Sequence, residues 1–134
     1  MALADIPRIL VPWNPPGAKR GWFVYPIRTR GPQAGSLRDT LIAGLRTRGI
    51  ACQSYFPAVH LQPYFRKIPW SPRRPLPHTE IAAQRCLALP FYADISPEQV
   101  SEVCSAVREI VAEAERRLGN PDDLREEIAR AASG

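Results

Sequence analysis

Gly49-Ile-Ala-Cys-Gln-Ser-Tyr-Phe-Pro-Ala-Val-His-Leu-Gln-Pro-Tyr-Phe65 is the stretch on which the fold turns. Gly49 follows an apolar-periodic segment and reads as the residue that closes a helix, because glycine takes the left-handed C′ position without a Cβ clash. Ile50 to Tyr55 then read as a short buried strand. Pro57 bends the chain, and the stretch ends in a turn rich in aromatics. His60, one of only two histidines, sits in its middle. Aromatic and polar tips gathered in so short a loop point to a surface that meets something.

Working toward the N-terminus, the helix that Gly49 closes starts at Ser36. Ser36 is the expected N-cap, and Asp39 at N3 suits the helix dipole. Leu37, Leu41, Ile42 and Leu45 form its apolar stripe. Before it, Gly31 to Gly35 is a turn. Residues 21–29, Gly-Trp-Phe-Val-Tyr-Pro-Ile-Arg-Thr, are rich in β-branched and aromatic residues and read as a strand. Pro26 cannot donate to a ladder, so an edge position or a bulge is expected there. Strand, helix and strand joined this tightly make one small layered unit. Residues 1–20 form a proline-rich leader, mostly coil, in which Arg8 to Pro12 can add an extended edge segment.

Toward the C-terminus, Pro69, Pro72, Pro75 and Pro77 alternate with Arg66, Lys67, Arg73 and Arg74 in a surface loop. Thr79 is the expected cap of a short helix running to Arg85. Leu87-Ala-Leu-Pro90 reads as a third strand. Ser96-Pro97-Glu98-Gln99 is a capping box with proline at N1. Val100, Val103, Val107, Ile110, Val111, Ala114 and Leu118 then recur every three or four residues. Burying such a stripe yields on the order of 10 kcal/mol gross, so this helix must pack on the sheet. Gly119 ends it. Asn120 to Asp123 cap a further helix carrying Leu124, Ile128 and Ala131. The expected organisation is thus a leader (1–20), one domain (21–118) and a helical tail (119–134).

A chain of 134 residues is one domain by length. Its 15 prolines are about twice the usual share of about 5%, which favours loops and short strands. Charge is uneven. Residues 1–76 hold twelve Lys/Arg and two acids, a net +10, whereas residues 77–134 hold six Arg and eleven acids, a net −5. The basic half is either a solvated face or a surface for an anionic partner: nucleic acid, a phosphorylated small molecule or an acidic protein. Cys52, Cys86 and Cys104 are odd in number and far apart, which fits a reducing cytoplasm rather than a disulfide framework. Cys52, His60, His78 and Cys86 lack the close ligand pairs of a structural zinc site. No signal peptide is visible, and no run of 18 apolar residues is long enough to span a membrane.

The usual catalytic signatures are missing. No glycine-rich phosphate loop and no Gly-x-Ser-x-Gly elbow occur. The acid pairs Asp122/Asp123 and Glu126/Glu127 belong to a solvated helix start. Interleaved aromatics in the basic half raise nucleic-acid stacking, but Trp22-Phe23-Val24-Tyr25 and Tyr55-Phe56 sit in strand-like runs that core packing explains more simply, and no nucleic-acid-binding pattern appears. Two readings stand for His60: a satisfied histidine in an aromatic core, or a ligand-facing histidine that donates a hydrogen bond to an oxyanion or hydroxyl. Arg66, Lys67, Arg73 and Arg74 are close enough in sequence to add phosphate contacts.

The order of these pieces resembles the C-terminal portion of the DegT/StrS family of PLP-dependent sugar aminotransferases. The resemblance runs over residues 8–113. It rests on Gly21-Trp-Phe-Val-Tyr-Pro-Ile-Arg28, Leu37-Arg-Asp to Leu45, Arg48-Gly-Ile50, Tyr55-Phe-Pro-Ala-Val-His-Leu-Gln-Pro-Tyr64, Leu76-Pro-His-Thr-Glu80, Arg85-Cys-Leu-Ala-Leu-Pro-Phe-Tyr92 and Ile95-Ser-Pro-Glu-Gln-Val to Val111. It implies an α+β fold: a small antiparallel sheet of three to four strands with helices packed on it, the small domain of a fold-type I enzyme. It further implies amino transfer to a keto sugar, commonly nucleotide-linked, by an enzyme that works as a homodimer with PLP bound to a lysine. The loop matching Tyr55 to Tyr64 would border the substrate cleft, which makes His60, Tyr55 and Tyr64 the expected substrate-side residues. The departure from the family is large, because what the family uses to hold and activate PLP lies in its larger N-terminal domain. The only lysines of this chain, Lys19 and Lys67, stand outside the family's Ser-Phe-His-x-x-Lys setting, and no acid matches the aspartate that pairs with the cofactor's ring nitrogen. The expectation is a fragment or split subunit that binds no PLP alone and relies on a large PLP-binding domain or subunit. The alternative is a stand-alone anion- or nucleotide-binding module without catalysis.

Overall fold

The computed structural model describes residues 2–68 and 74–118. Four strands form one antiparallel sheet: β1 (Ile9–Leu10), β2 (Tyr25–Thr29), β3 (Gln53–Ser54) and β4 (Cys86–Leu89), in the order β1-β2-β4-β3. Tyr25 faces Leu89 and Ile27 faces Leu87 across the central pair. The period of two puts Ile27, Thr29, Leu87 and Leu89 in the core. Pro26 and Arg28 alternate with them on the opposite face. Pro26 lies in the central pair β2–β4, opposite Ala88, and not at the sheet's edge.

Helices α1 (Ala34–Thr47) and α4 (Pro97–Leu118) supply the other side of the core. Leu37, Leu41 and Leu45 on α1 pack with Ala106, Val107, Ile110 and Val111 on α4 and with Ile27 and Leu87 of the sheet. α4 runs chiefly along α1, and its apolar stripe reaches the sheet's core from there. Gly44 lets the two helices approach: a Cβ there would stand 2.9 Å from Ile110 Cδ1. α4 starts with the expected box. Ser96 Oγ accepts from Gln99 N–H (3.2 Å), and Gln99 Oε1 accepts from Ser96 N–H (2.9 Å). Val100, at the first turn of the stripe, remains exposed.

Gly49 does close α1. It stands at φ +73°, its N–H reaches Arg46 O (3.0 Å), and Ile50 N–H reaches Leu45 O (3.0 Å). That is a complete Schellman motif, with Ile50 and Leu45 buried beside it. The start of α1 departs from expectation. The helix begins at Ala34, behind a left-handed Gln33 (φ 50°), so Ser36 and Asp39 lie inside it and cap nothing. The first helical bond, Leu37 N–H to Gln33 O (2.9 Å), marks this earlier start, and buried Thr29 donates through Oγ1 to Ala34 O (2.5 Å), tying the strand end to the first helical residue. The strands are shorter than the apolar runs. Residues 21–24 and 50–52 lie outside the ladder, although Ile50 and Cys52 are buried.

The first residues are also tied in. Leu3, Ile6 and Ile9 enter the core, and Arg108 on α4 forms a bidentate pair with Asp5 (2.7 and 2.8 Å) while also donating to Ala2 O (2.6 Å). Residues 12–20 are coil and turn. The expected helix after Asn120 falls outside the described residues, as do residues 69–73 of the proline–arginine loop.

Candidate substrate-side cavity

After β3 the chain leaves the sheet and turns through Pro57 into a 3-10 turn (Val59–Leu61) and the short helix α2 (Pro63–Arg66). Pro63 at N1 suits a helix start, since its missing N–H would have no helical partner. The helix α3 (Pro77–Arg85) follows, again with proline at N1. Thr79 is therefore its third residue and not its cap. Between the loop and α3 lies an open cavity of about 740 Å³. Tyr55, Phe56, Ala58, His60 and Phe65 form one wall, and Leu76, Thr79, Ala82 and Ala83 of the α3 side form the other. Cys86 also lines the cavity. Burial pushes its thiol up, against the pull of Arg28 and Arg38.

Two of the three expected site residues meet in this cavity. Tyr55 packs edge-on against Phe56, ring centroids 4.9 Å apart. His60 is largely buried, with its Nε2 3.0 Å from Glu80 Oε1. Tyr64 does not join them: it stands 72% exposed against Phe65 and is not part of the lining. A helical turn explains this, because α2 rotates neighbouring side chains by about 100° and turns Phe65 inward in its place.

Glu80 is the residue that sequence reasoning missed. One of its oxygens accepts from both His60 Nε2 and Leu76 N–H (2.9 Å). These contacts, that to His60 first, hold its carboxyl below its ordinary value. The available signal was an acid in the first turn of a short helix, in a chain with only two histidines to pair with it. His78, the other histidine, is exposed on α3 but also lines the cavity. Among the described residues no three of His, Cys, Asp and Glu gather as a metal set.

A model of the DegT/DnrJ/EryC1/StrS aminotransferase family matches residues 1–108. The chain belongs to this family. Solved structures agree in fold. The aminotransferase TlmJ from Streptoalloteichus hindustanus superposes with a TM-score of 0.72 at 24% identity, over 84% of this chain and 29% of TlmJ. DesV of S. venezuelae, solved in complex with a ketimine intermediate, gives 0.67 at 33% identity, over 81% and 28%. DesI, solved in the presence of its TDP-sugar product, gives 0.65 at 28% identity, over 87% and 30%. The chain thus spans less than a third of the length of each of these enzymes.

Family members in general use PLP, and the cavity is the place to test for it. It has no lysine and no acid in its lining. Lys19 lies in the exposed coil before β2 and Lys67 caps α2, also exposed, and neither makes an ion pair among the described residues. A lysine imine with a carboxylate at the ring nitrogen is therefore not assembled here, and no step of PLP chemistry follows from these residues.

Proposed function

We propose that this chain is the small-domain part of a PLP-dependent aminotransferase acting on nucleotide-linked keto sugars, and that it supplies the substrate-side wall of the active site. The observation that carries this reading is the cavity between the Tyr55–Phe65 loop and α3. Its mixture of aromatic faces with a few polar tips suits a sugar nucleotide, whose rings stack and whose hydroxyls need partners. DesI, solved with a TDP-sugar product, supports the substrate class by likeness. The catalytic lysine and the electron sink of PLP belong to a large domain or subunit, and the chain alone binds no PLP. Exposed Trp13, Phe23, Phe56 and Tyr64 are apolar surface for that partner to cover, within a dimer of the kind the family forms. The free cysteines fit a cytoplasmic setting. No helix among the described residues is long and apolar enough to cross a membrane.

A second reading, an anion- or nucleotide-binding module without catalysis, draws on Arg28 and Arg38, whose charges act on Cys86 although neither side chain lines the cavity. One experiment separates the two. The chain is incubated with PLP, reduced with borohydride and mapped by mass spectrometry. It is then assayed for amino transfer with and without a family large domain carrying the lysine. The proposal expects no adduct at a unique lysine, and turnover only in the mixture. A unique adduct with turnover by the chain alone contradicts it. No adduct and no rescue, with nucleotide binding retained, selects the second reading.

A further inference from the structure

We infer that Glu80 fixes the tautomer of neutral His60, so that His60 meets a cavity ligand through Nδ1 as a hydrogen-bond acceptor and selects a hydroxyl over an oxyanion. An ionised carboxylate only accepts hydrogen bonds, so at 3.0 Å the hydrogen between the two side chains sits on His60 Nε2. A neutral imidazole has one N–H, and once Nε2 holds it, Nδ1 presents a lone pair. Nδ1 has no hydrogen-bond partner among the described residues, and His60 lines the cavity. Glu80 cannot easily swing away, because the same oxygen also takes the Leu76 N–H at 2.9 Å, at the start of α3.

The pair therefore has two consequences. It ties the aromatic loop to α3, which makes Glu80 a positioning residue. It also reverses the polarity expected of His60 from sequence, from donor to acceptor. A phosphate oxygen would set lone pair against lone pair there. A sugar hydroxyl donates, and the neighbouring apolar wall of Phe56, Ala58 and Phe65 suits the carbon face of a hexose. This deepens the reading proposed above, on which its choice of a sugar ligand rests.

The test is long-range 15N–1H spectroscopy of the two imidazoles in the 134-residue chain at pH 8, with His78→Gln to assign the signals. TDP-glucose and TDP are added separately. The expected result is His60 as the Nε2–H tautomer, with its Nδ1 resonance moved by TDP-glucose and much less by TDP. His60→Gln keeps a donor for Glu80 but has no atom in the place of Nδ1. It should weaken TDP-glucose binding by up to about tenfold while leaving the melting temperature and the TDP affinity near wild type. Glu80→Ala should weaken the preference to the modest Nε2–H bias of a free imidazole, so that the Nδ1–H form appears beside it. An Nδ1–H tautomer in the wild type overturns the inference. So does an unmoved Nδ1 when cavity amides respond to TDP-glucose. An Nε2–H tautomer with no cavity signal responding to either probe contradicts sugar-nucleotide binding by this chain and leaves the tautomer assignment standing.

Discussion

Leu41, Leu45, Leu87 and Val107 have no exposed surface, whereas Phe56 and Tyr64, in the loop after β3, stand 69% and 72% exposed. The two regions hold their shape by different means. The first is a closed core, in which two helices and a sheet bury one another's stripes. The second is a loop of large apolar side chains with little to bury against, joined to α3 through the His60–Glu80 contact and the cavity wall. A core specifies a fold and tolerates no partner within it. A loop of this kind leaves its surface free for a ligand or another domain.

The comparison can be broken most forcefully in the core. Leu41→Ala should cost about 3 kcal/mol, in the range of 2–5 for a fully buried leucine, read as a shift of the urea midpoint. A loss below 1 kcal/mol would mean that the core is looser than described. Next comes the backbone. Gly49→Ala places a Cβ at φ +73° and should cost about 1–2 kcal/mol by the same measurement, although no neighbouring atom obstructs it. Phe56→Ala should sharpen the contrast by changing the midpoint by less than about 0.5 kcal/mol, because the ring is mostly exposed. The same change should weaken binding of a sugar nucleotide.

Acid tests the polar ties separately. The carboxyls of Asp5, Glu80 and Glu98 lie below their ordinary values because of Arg108, His60 and Ser96 respectively. Each binds its proton less readily when folded than when unfolded. Their contribution is therefore complete above the ordinary carboxylate values of 3.8–4.5 and is lost as pH falls through the lower folded ones. Amide exchange in the loop should rise first on this descent, since Glu80 is its tie to α3, while exchange at Leu45 and Val107 stays slow. Simultaneous loss in both regions would contradict the distinction.

The same difference governs what the sequence could disclose. The stripe of α4 from Val103 to Ala114, the capping box at Ser96 and the glycine stop at Gly49 are local patterns with fixed spacings, and each is found in place. The antiparallel α+β architecture came from family resemblance and matches the four-stranded sheet. Ser36 is a good cap in isolation, but α1 starts two residues earlier, where Leu37 N–H reaches Gln33 O behind a left-handed Gln33 that no local cap pattern marks. Strand lengths were overread because apolar residues such as Ile50 and Cys52 enter the core from irregular backbone. Of the site, Tyr55 and His60 were legible as aromatic and titratable residues in one loop. Glu80 was not, since its partner lies twenty residues away and only the fold brings them together. Tyr64 came with the family-matched loop as a whole, and α2 turns it outward.

The most direct measurement of the central claim is backbone-amide mapping of the 15N-labelled chain during titration with TDP-glucose. The account predicts shifts confined to residues 55–65 and to the facing stretch 76–83, with the signals of α1 and α4 unmoved. Shifts centred elsewhere, or none at saturating ligand, would contradict a sugar-facing wall on this chain.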